Sequence, residues 1–461
     1  MRACVRARRD AGAARALHQR RDWNADHSAA AAAVDKRRSA RVHTLVRSSM
    51  RPHTQKRGIA MNRWTRWSGV ALCLAASASA TAAAAAQTCP LRAQTVDLPL
   101  ASKATPKFAY QVRVQLGSDA DGDSGGSQVL EVDTGSTGVV VPLSDALRSA
   151  WDASTTPGHI FYSSDSKYHP GKYVDVPMRL GVSPDGTTAA ARVDRITVLA
   201  AQCTCDVASV ARQPKPLAQV PATCAGYNGS PALSSSTQVL RNCATISSGF
   251  GMMGVGYDRG VDPARNPFLN IAPMRAKAMS PGYILGAKRI TLGVSADALK
   301  HFALVPLQRG PSSAGVPGDW QAPTACASFP HSGSDYRVCG KLLPDTGVSY
   351  MMLNPVVPPQ VPAALQQTVA DATDPPRTSR VVPDKTQLRL DVVDAGGRAV
   401  FGYGFAVGDG QPATPDSVQW RGPLQAPPAH INSGRHLLAA GDYAYDADCG
   451  RAGFHATSKQ P

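Results

Sequence analysis

The tripeptide Asp-Thr-Gly occurs twice in this chain, as Asp133-Thr134-Gly135 and Asp345-Thr346-Gly347, more than two hundred residues apart. Each copy follows an apolar approach and leads into another apolar run. The first continues through Ser136 into GVVVP, the second through Val348-Ser349 into YMML and Asn354-Pro355. Apolar runs bounded by Gly, Asp and Pro read as strands, and the glycine lets the backbone turn tightly and come close to a second element. A carboxylate-bearing turn used twice implies duplicated β lobes, each contributing one acid.

The rest of the sequence has the same texture. Short Val-, Leu-, Ile- and Tyr-rich runs at 108–116, 128–132, 138–142, 195–200, 288–294 and 386–393 alternate with Gly, Pro, Asp and Ser. This predicts an all-β protein. Helical spacing is confined to two short candidates, 296–302 and 358–372. The Pro/Ser/Gly-rich stretches 311–323 and 411–429 read as surface loops.

The formal charge of +16 suggests a nucleic-acid partner until it is located. Residues 1–60 hold fifteen Lys/Arg against four acids, Arg63 and Arg66 add two more, and the chain from Gln87 onward carries only +3. No nucleic-acid partner is expected. From Met61 the sequence reads as a secretory signal: a basic MNRWTRW, an Ala/Ser-rich apolar core at 68–80, and Ala84-Ala85-Ala86 before Gln87. Its core is too short and too weakly apolar for a stable membrane span. The expected organisation is therefore a basic extension at 1–60, either upstream of a true start at Met61 or a disordered tail, a signal peptide at 61–86, and β lobes at 87–295 and 296–461. A secreted or periplasmic monomer follows.

Eight cysteines fall after the signal: Cys89, Cys203, Cys205, Cys224, Cys243, Cys326, Cys339 and Cys449. An even number in an exported chain points to disulfides. Cys203-Thr-Cys205 is too tightly spaced for a zinc knuckle, and no HExxH helix is present. Cys326 and Cys339 bracket a short turn and are expected to pair. No metal and no other cofactor is expected.

Two carboxylates held close together cannot both ionise, so they share a proton. One then acts as base toward a water while the other donates to a carbonyl oxygen, and the pair titrates as a unit. Asp133 and Asp345 are the candidate catalytic residues. Thr134 and Thr346 can brace the two turns by hydrogen bonding across them, Gly135 and Gly347 permit the approach, and Ser136 can hold the outer oxygen of Asp133.

Five further segments, in order, extend the pattern: YQVRVQLG at 110–117, GMMGVGY at 251–257, GYILGAKRITLGV at 282–294, FALVPL at 302–307, and INSG at 431–434 with the ending that follows it. Together with the two triplets they resemble the pepsin-like aspartic proteases over most of the chain after Gln87. The resemblance implies a bilobal double β-barrel with an interlobe cleft and a few short helices. It also implies an endopeptidase whose Asp pair activates water against a polypeptide substrate.

Three departures from that pattern stand out. Val348 occupies the place where the second triplet should be followed by Ser or Thr, which removes a donor to Asp345 unless Ser349 substitutes. Without it, Asp345 is expected to hold its proton to higher pH. Asn432-Ser433 replaces two apolar residues before Gly434. The Tyr-Gly-x-Gly signature of a closing flap is absent from 162–181, where Tyr168 and Tyr173 are both candidates for the flap tyrosine. These departures keep a second reading open, a catalytically silent module that binds a protein or glycan ligand in the cleft.

Two motifs are set aside. Gly122-Asp123-Ser124-Gly125-Gly126 spells a serine-protease signature, but no histidine lies between Gln87 and Ser124 to serve as base. Asp119, Asp121 and Asp123 alternate like a calcium loop, but Ser124 stands where the loop needs glycine and Glu131 falls one place late.

Overall fold

The computed structural model describes residues 89–457 apart from 103–108, 121–125, 163–165, 210–219, 231–237, 312–317, 332–333, 357–360, 372–376, 423 and 425–427. The signal segment, the basic extension and most of the two set-aside motifs lie outside the described residues. Residues from Leu91 onward belong to one compact unit. They are mostly strand with a few short helices, in three sheets.

The first nine-stranded sheet runs in the order Gln111–Leu116, Gln128–Asp133, Met252–Val255, Thr137–Pro142, Ala189–Ala201, Lys167–Val182, Cys203–Ser209, Gln238–Thr245, with Pro157–Tyr162 also paired to Lys167–Val182. Gln111–Leu116 pairs a second time with Lys167–Val182, which closes the sheet into a barrel. The second nine-stranded sheet runs Gln367–Asp371, Arg377–Val381, Val418–Trp420, Met351–Asn354, Ala429–Asn432, Ser334–Leu343, Thr324–His331, Gln387–Val393, Ala399–Ala406.

The repeat seen in the sequence is repeated in the pairing. Gln128–Asp133 lies parallel to Met252–Val255, which is antiparallel to Thr137–Pro142, which is parallel to Ala189–Ala201. In the second sheet Ser334–Leu343 lies parallel to Ala429–Asn432, which is antiparallel to Met351–Asn354, which is parallel to Val418–Trp420. Of these, Thr137–Pro142, Met252–Val255, Met351–Asn354, Val418–Trp420 and Ala429–Asn432 are buried along almost their whole length. Leu130, Val132, Val141, Met253 and Val255 from the first sheet and Leu342, Met351, Leu353 and Ile431 from the second are buried in one continuous hydrophobic cluster.

A six-stranded antiparallel sheet joins strands from both ends of the unit. Val96–Leu98, Arg289–Leu292 and Gly282–Gly286 form one side, and Gly441–Asp446, Arg451–Ala456 and Ala303–Pro306 the other. Beneath it Tyr257 stacks on Tyr445 at 3.9 Å, and the Tyr283 hydroxyl donates to the Val255 carbonyl at 2.9 Å.

Cys326 pairs with Cys339 as expected, and Cys203–Cys224 and Cys205–Cys243 account for the close Cys-Thr-Cys spacing. Cys89 and Cys449 are also disulfide-bonded. Among the described residues, no helix is long and apolar enough to cross a membrane.

Three expectations are corrected. Residues 296–302 form successive turns, because Phe302 is drawn directly into the strand Ala303–Pro306 before a helix can propagate. Within 358–372, the described residues form a 3-10 turn at Ala363–Leu365 and then the strand Gln367–Asp371. There β-branched Thr368 and Val369 find cross-strand partners in Arg380 and Ser379. The proposed loop 411–429 contains a fully buried strand, Val418–Trp420, whose indole Nε1 donates to the Leu365 carbonyl at 2.7 Å.

Candidate active site

Asp133 is the last residue of the strand Gln128–Asp133, and Asp345 lies two residues beyond Ser334–Leu343. Both are buried, at 6% and 3% exposure, which decides their electrostatics. Each carboxylate lies against the glycine of the other triplet. A β-carbon on Gly135 would sit 2.6–2.8 Å from the Asp345 carboxylate, and one on Gly347 would sit 2.5 Å from Asp133 Oδ1. The same point at Gly347 is 3.1 Å from Asp345 Oδ1, so the two inner oxygens are no farther apart than the sum of those distances. Only glycine allows this approach.

Thr134 and Thr346 brace the two turns. Each backbone amide donates to the other's hydroxyl oxygen, at 3.0 and 2.9 Å. The Thr346 hydroxyl then donates to the Val132 carbonyl at 2.7 Å, and the Thr134 hydroxyl to the Pro344 carbonyl. All four bonds are buried, and each hydroxyl both accepts and donates.

The inner oxygens are held alike: Gly135 N–H donates to Asp133 Oδ1 at 2.7 Å and Gly347 N–H to Asp345 Oδ1 at 2.8 Å. The outer oxygens differ. Ser136 Oγ donates to Asp133 Oδ2 at 2.6 Å, as expected. On the other side the donor is Asn432, whose Nδ2 reaches Asp345 Oδ2 at 2.6 Å. The expected vacancy at Val348 is therefore filled from a different strand. Val348 packs with Tyr350 and Met352, and Ser349 uses its carbonyl to accept from Asp416 N at 3.0 Å. Register explains the substitution: Met252 faces Val140 and Asn432 faces Met352, each seven residues after its aspartate. Asn432 thus stands where the first repeat has a methionine. The sequence signal was the polar pair Asn432-Ser433 where the pattern calls for apolar residues.

Burial first, and the negative charge of Asp345 second, push the Asp133 carboxyl up to about 8, against the pull of the Ser136 and Gly135 donors. One proton is thus retained by the pair well above the ordinary carboxylate range. Glu131 is paired with Arg435 at 3.8 Å, both largely buried.

The hairpin Pro157–Tyr162 and Lys167–Val182 carries both flap candidates. Tyr168 stacks on His159 at 5.0 Å. Tyr173 donates to the His159 carbonyl at 3.2 Å, and the Arg265 guanidinium lies 4.1 Å over its ring. Both rings are engaged within or beside their own hairpin. Among the described residues no group of three or more His, Cys, Asp or Glu side chains could hold a metal ion.

No protein-family model matches this sequence, and no curated protein does.

Proposed function

We propose that this chain is an exported aspartic-type endopeptidase of the pepsin-like kind, a bilobal double barrel that cleaves polypeptides in the cleft between its lobes. The observation that carries the reading is the pair of buried carboxylates, each seated against the other triplet's glycine and cross-braced by Thr134 and Thr346. A water between them would lose a proton to the ionised carboxylate while the protonated one donates to the scissile carbonyl oxygen. The tetrahedral intermediate then collapses with proton return to the leaving amine, with no covalent enzyme intermediate. The disulfides and the signal-like segment at 61–86 support a secreted or periplasmic site of action. The low charge after Gln87 favours a polypeptide substrate over nucleic acid.

A second reading is a pepsin-fold module that binds a protein or glycan ligand without turnover. The engagement of Tyr168 and Tyr173 with His159 and Arg265 favours it, because a flap tyrosine must be free to cover substrate. Incubation with unfolded casein and a mixed peptide library from pH 2 to 7, followed by mass spectrometry, separates the two. Cleavage in acid supports the endopeptidase. A folded, disulfide-bonded protein inert throughout supports the binding module.

A further inference from the structure

We propose that Asn432 polarises the aspartate pair, fixing the negative charge on Asp345 and the shared proton on Asp133. The proposal rests on the reading of these two residues as a working dyad, and it assigns their separate roles: Asp345 as base toward water, Asp133 as acid toward the carbonyl.

An amide NH2 can only donate, whereas a hydroxyl can donate or accept. The orientation of the Asn432 amide is fixed by its other end, because Oδ1 accepts the Gly434 N–H at 2.9 Å and must be the oxygen. Nδ2 is therefore the atom 2.6 Å from Asp345 Oδ2. With Gly347 N–H on Oδ1 at 2.8 Å, both oxygens of Asp345 face obligate donors. A proton on either would oppose one of them. Asp133 has an obligate donor only at Oδ1, from Gly135. Its outer oxygen faces Ser136, whose hydroxyl can turn and accept from a protonated carboxyl. Both residues are almost wholly buried, so solvent does not level the difference.

The other charged groups on neighbouring elements do not reverse this order. Glu131 lies nearer in sequence to Asp133 and adds to the pressure to keep Asp133 protonated, while Arg435 pairs with Glu131. His430, on the same strand as Asn432, is pushed down to about 3 by burial beside Arg259, Asp258 and Lys341. His436 is lowered by burial, with Nδ1 against the Pro412 carbonyl at 2.8 Å. Burial disfavours the charged form of both histidines.

The test is a carbon-13 titration of the chain labelled at aspartate carboxyls, with signals assigned by Asp133→Asn and Asp345→Asn. Charge should appear first at Asp345 and only at higher pH at Asp133; the opposite order overturns the proposal. Asn432→Leu removes the donor and should raise the pair's lower apparent pKa, and the acid limb of any pH–rate profile, by about one pH unit, the usual worth of a hydrogen bond to a charged group. Val348→Thr places a hydroxyl three residues after Asp345, as Ser136 is after Asp133. In the Asn432→Leu background its hydroxyl should bring the raised lower pKa part of the way back by donating to the ionised carboxylate, without restoring the order of ionisation, because a hydroxyl can equally accept. A merely structural role for Asn432 would predict reduced stability with an unchanged titration, and that result also overturns the proposal. The wild-type titration stands even if Asn432→Leu does not fold. A protein that shows the expected order but cleaves nothing would refute the endopeptidase reading and leave the polarised pair intact.

Discussion

Thr134 and Thr346 hold one another by two antiparallel hydrogen bonds, each amide donating to the other's hydroxyl oxygen within 3.0 Å. The separation in sequence is 212 residues, so this contact fixes the two halves at the point where the acids must meet.

Thr134→Val keeps the shape but removes the acceptor for Thr346 N–H and the donor to the Pro344 carbonyl. Two buried groups lose partners, which should cost about 2–4 kcal/mol, read from urea unfolding. Because each threonine depends on the other, the Thr134→Val/Thr346→Val double variant should lose less than the sum of the singles, by about 1 kcal/mol or more. Strict additivity would show that the brace does not act as a unit.

Asp133→Asn and Asp345→Asn should each lower peptide cleavage by about 10³-fold, the scale of a lost acid–base group. Circular dichroism should be unchanged. A variant that retains wild-type turnover would remove the dyad as the catalyst.

The raised carboxyl of Asp133 has a signed consequence for stability. An unfolded aspartate releases its proton near pH 4, while the folded one retains it to about 8. Between those values the native state binds the extra proton, so stability should fall as pH rises through that window and level off above it. Asp133→Asn, which has no proton to lose, should flatten the slope. Thermal unfolding of both proteins from pH 4 to 8 measures it, and parallel curves would contradict the linkage.

Gly135→Ala would drive a methyl to within 2.6–2.8 Å of the Asp345 carboxylate. That carboxylate is held by Gly347 N–H and Asn432 and has no easy retreat. The displacement should cost about 10²-fold in turnover, with the disulfides formed normally. Wild-type kinetics in this variant would mean that the two turns are not in contact in the working protein.

The parts of the site that sequence made legible are those encoded in consecutive residues. Asp133, Thr134, Gly135 and Ser136 form a self-contained unit, and its repetition at Asp345 announced the second half. The donor to Asp345 was hidden because Asn432 is 87 residues away. It is placed by strand register, and the run Asn432-Ser433-Gly434 reads locally as a turn. The same distance effect explains the fold errors. Gln367–Asp371 is a strand because Arg377–Val381 lies beside it, and Val418–Trp420 is buried because Met351–Asn354 receives it. Neither partnership leaves a mark in the local pattern, which in one case suggests a helix and in the other a loop.

The six-stranded sheet has a bearing on when the molecule becomes complete. Its middle pairing, Gly282–Gly286 with Gly441–Asp446, must wait until residues 441–446 have been synthesised, and Ala303–Pro306 lacks its partner in this sheet until Arg451–Ala456 follows. A nascent chain that has made only the first triplet carries one acid and no counterpart. On the proposed activity, such a chain holds half of the catalytic pair and should not cleave peptides. Premature termination upstream of Gly441 should leave an open-edged fragment for quality control to remove, and not a shortened enzyme.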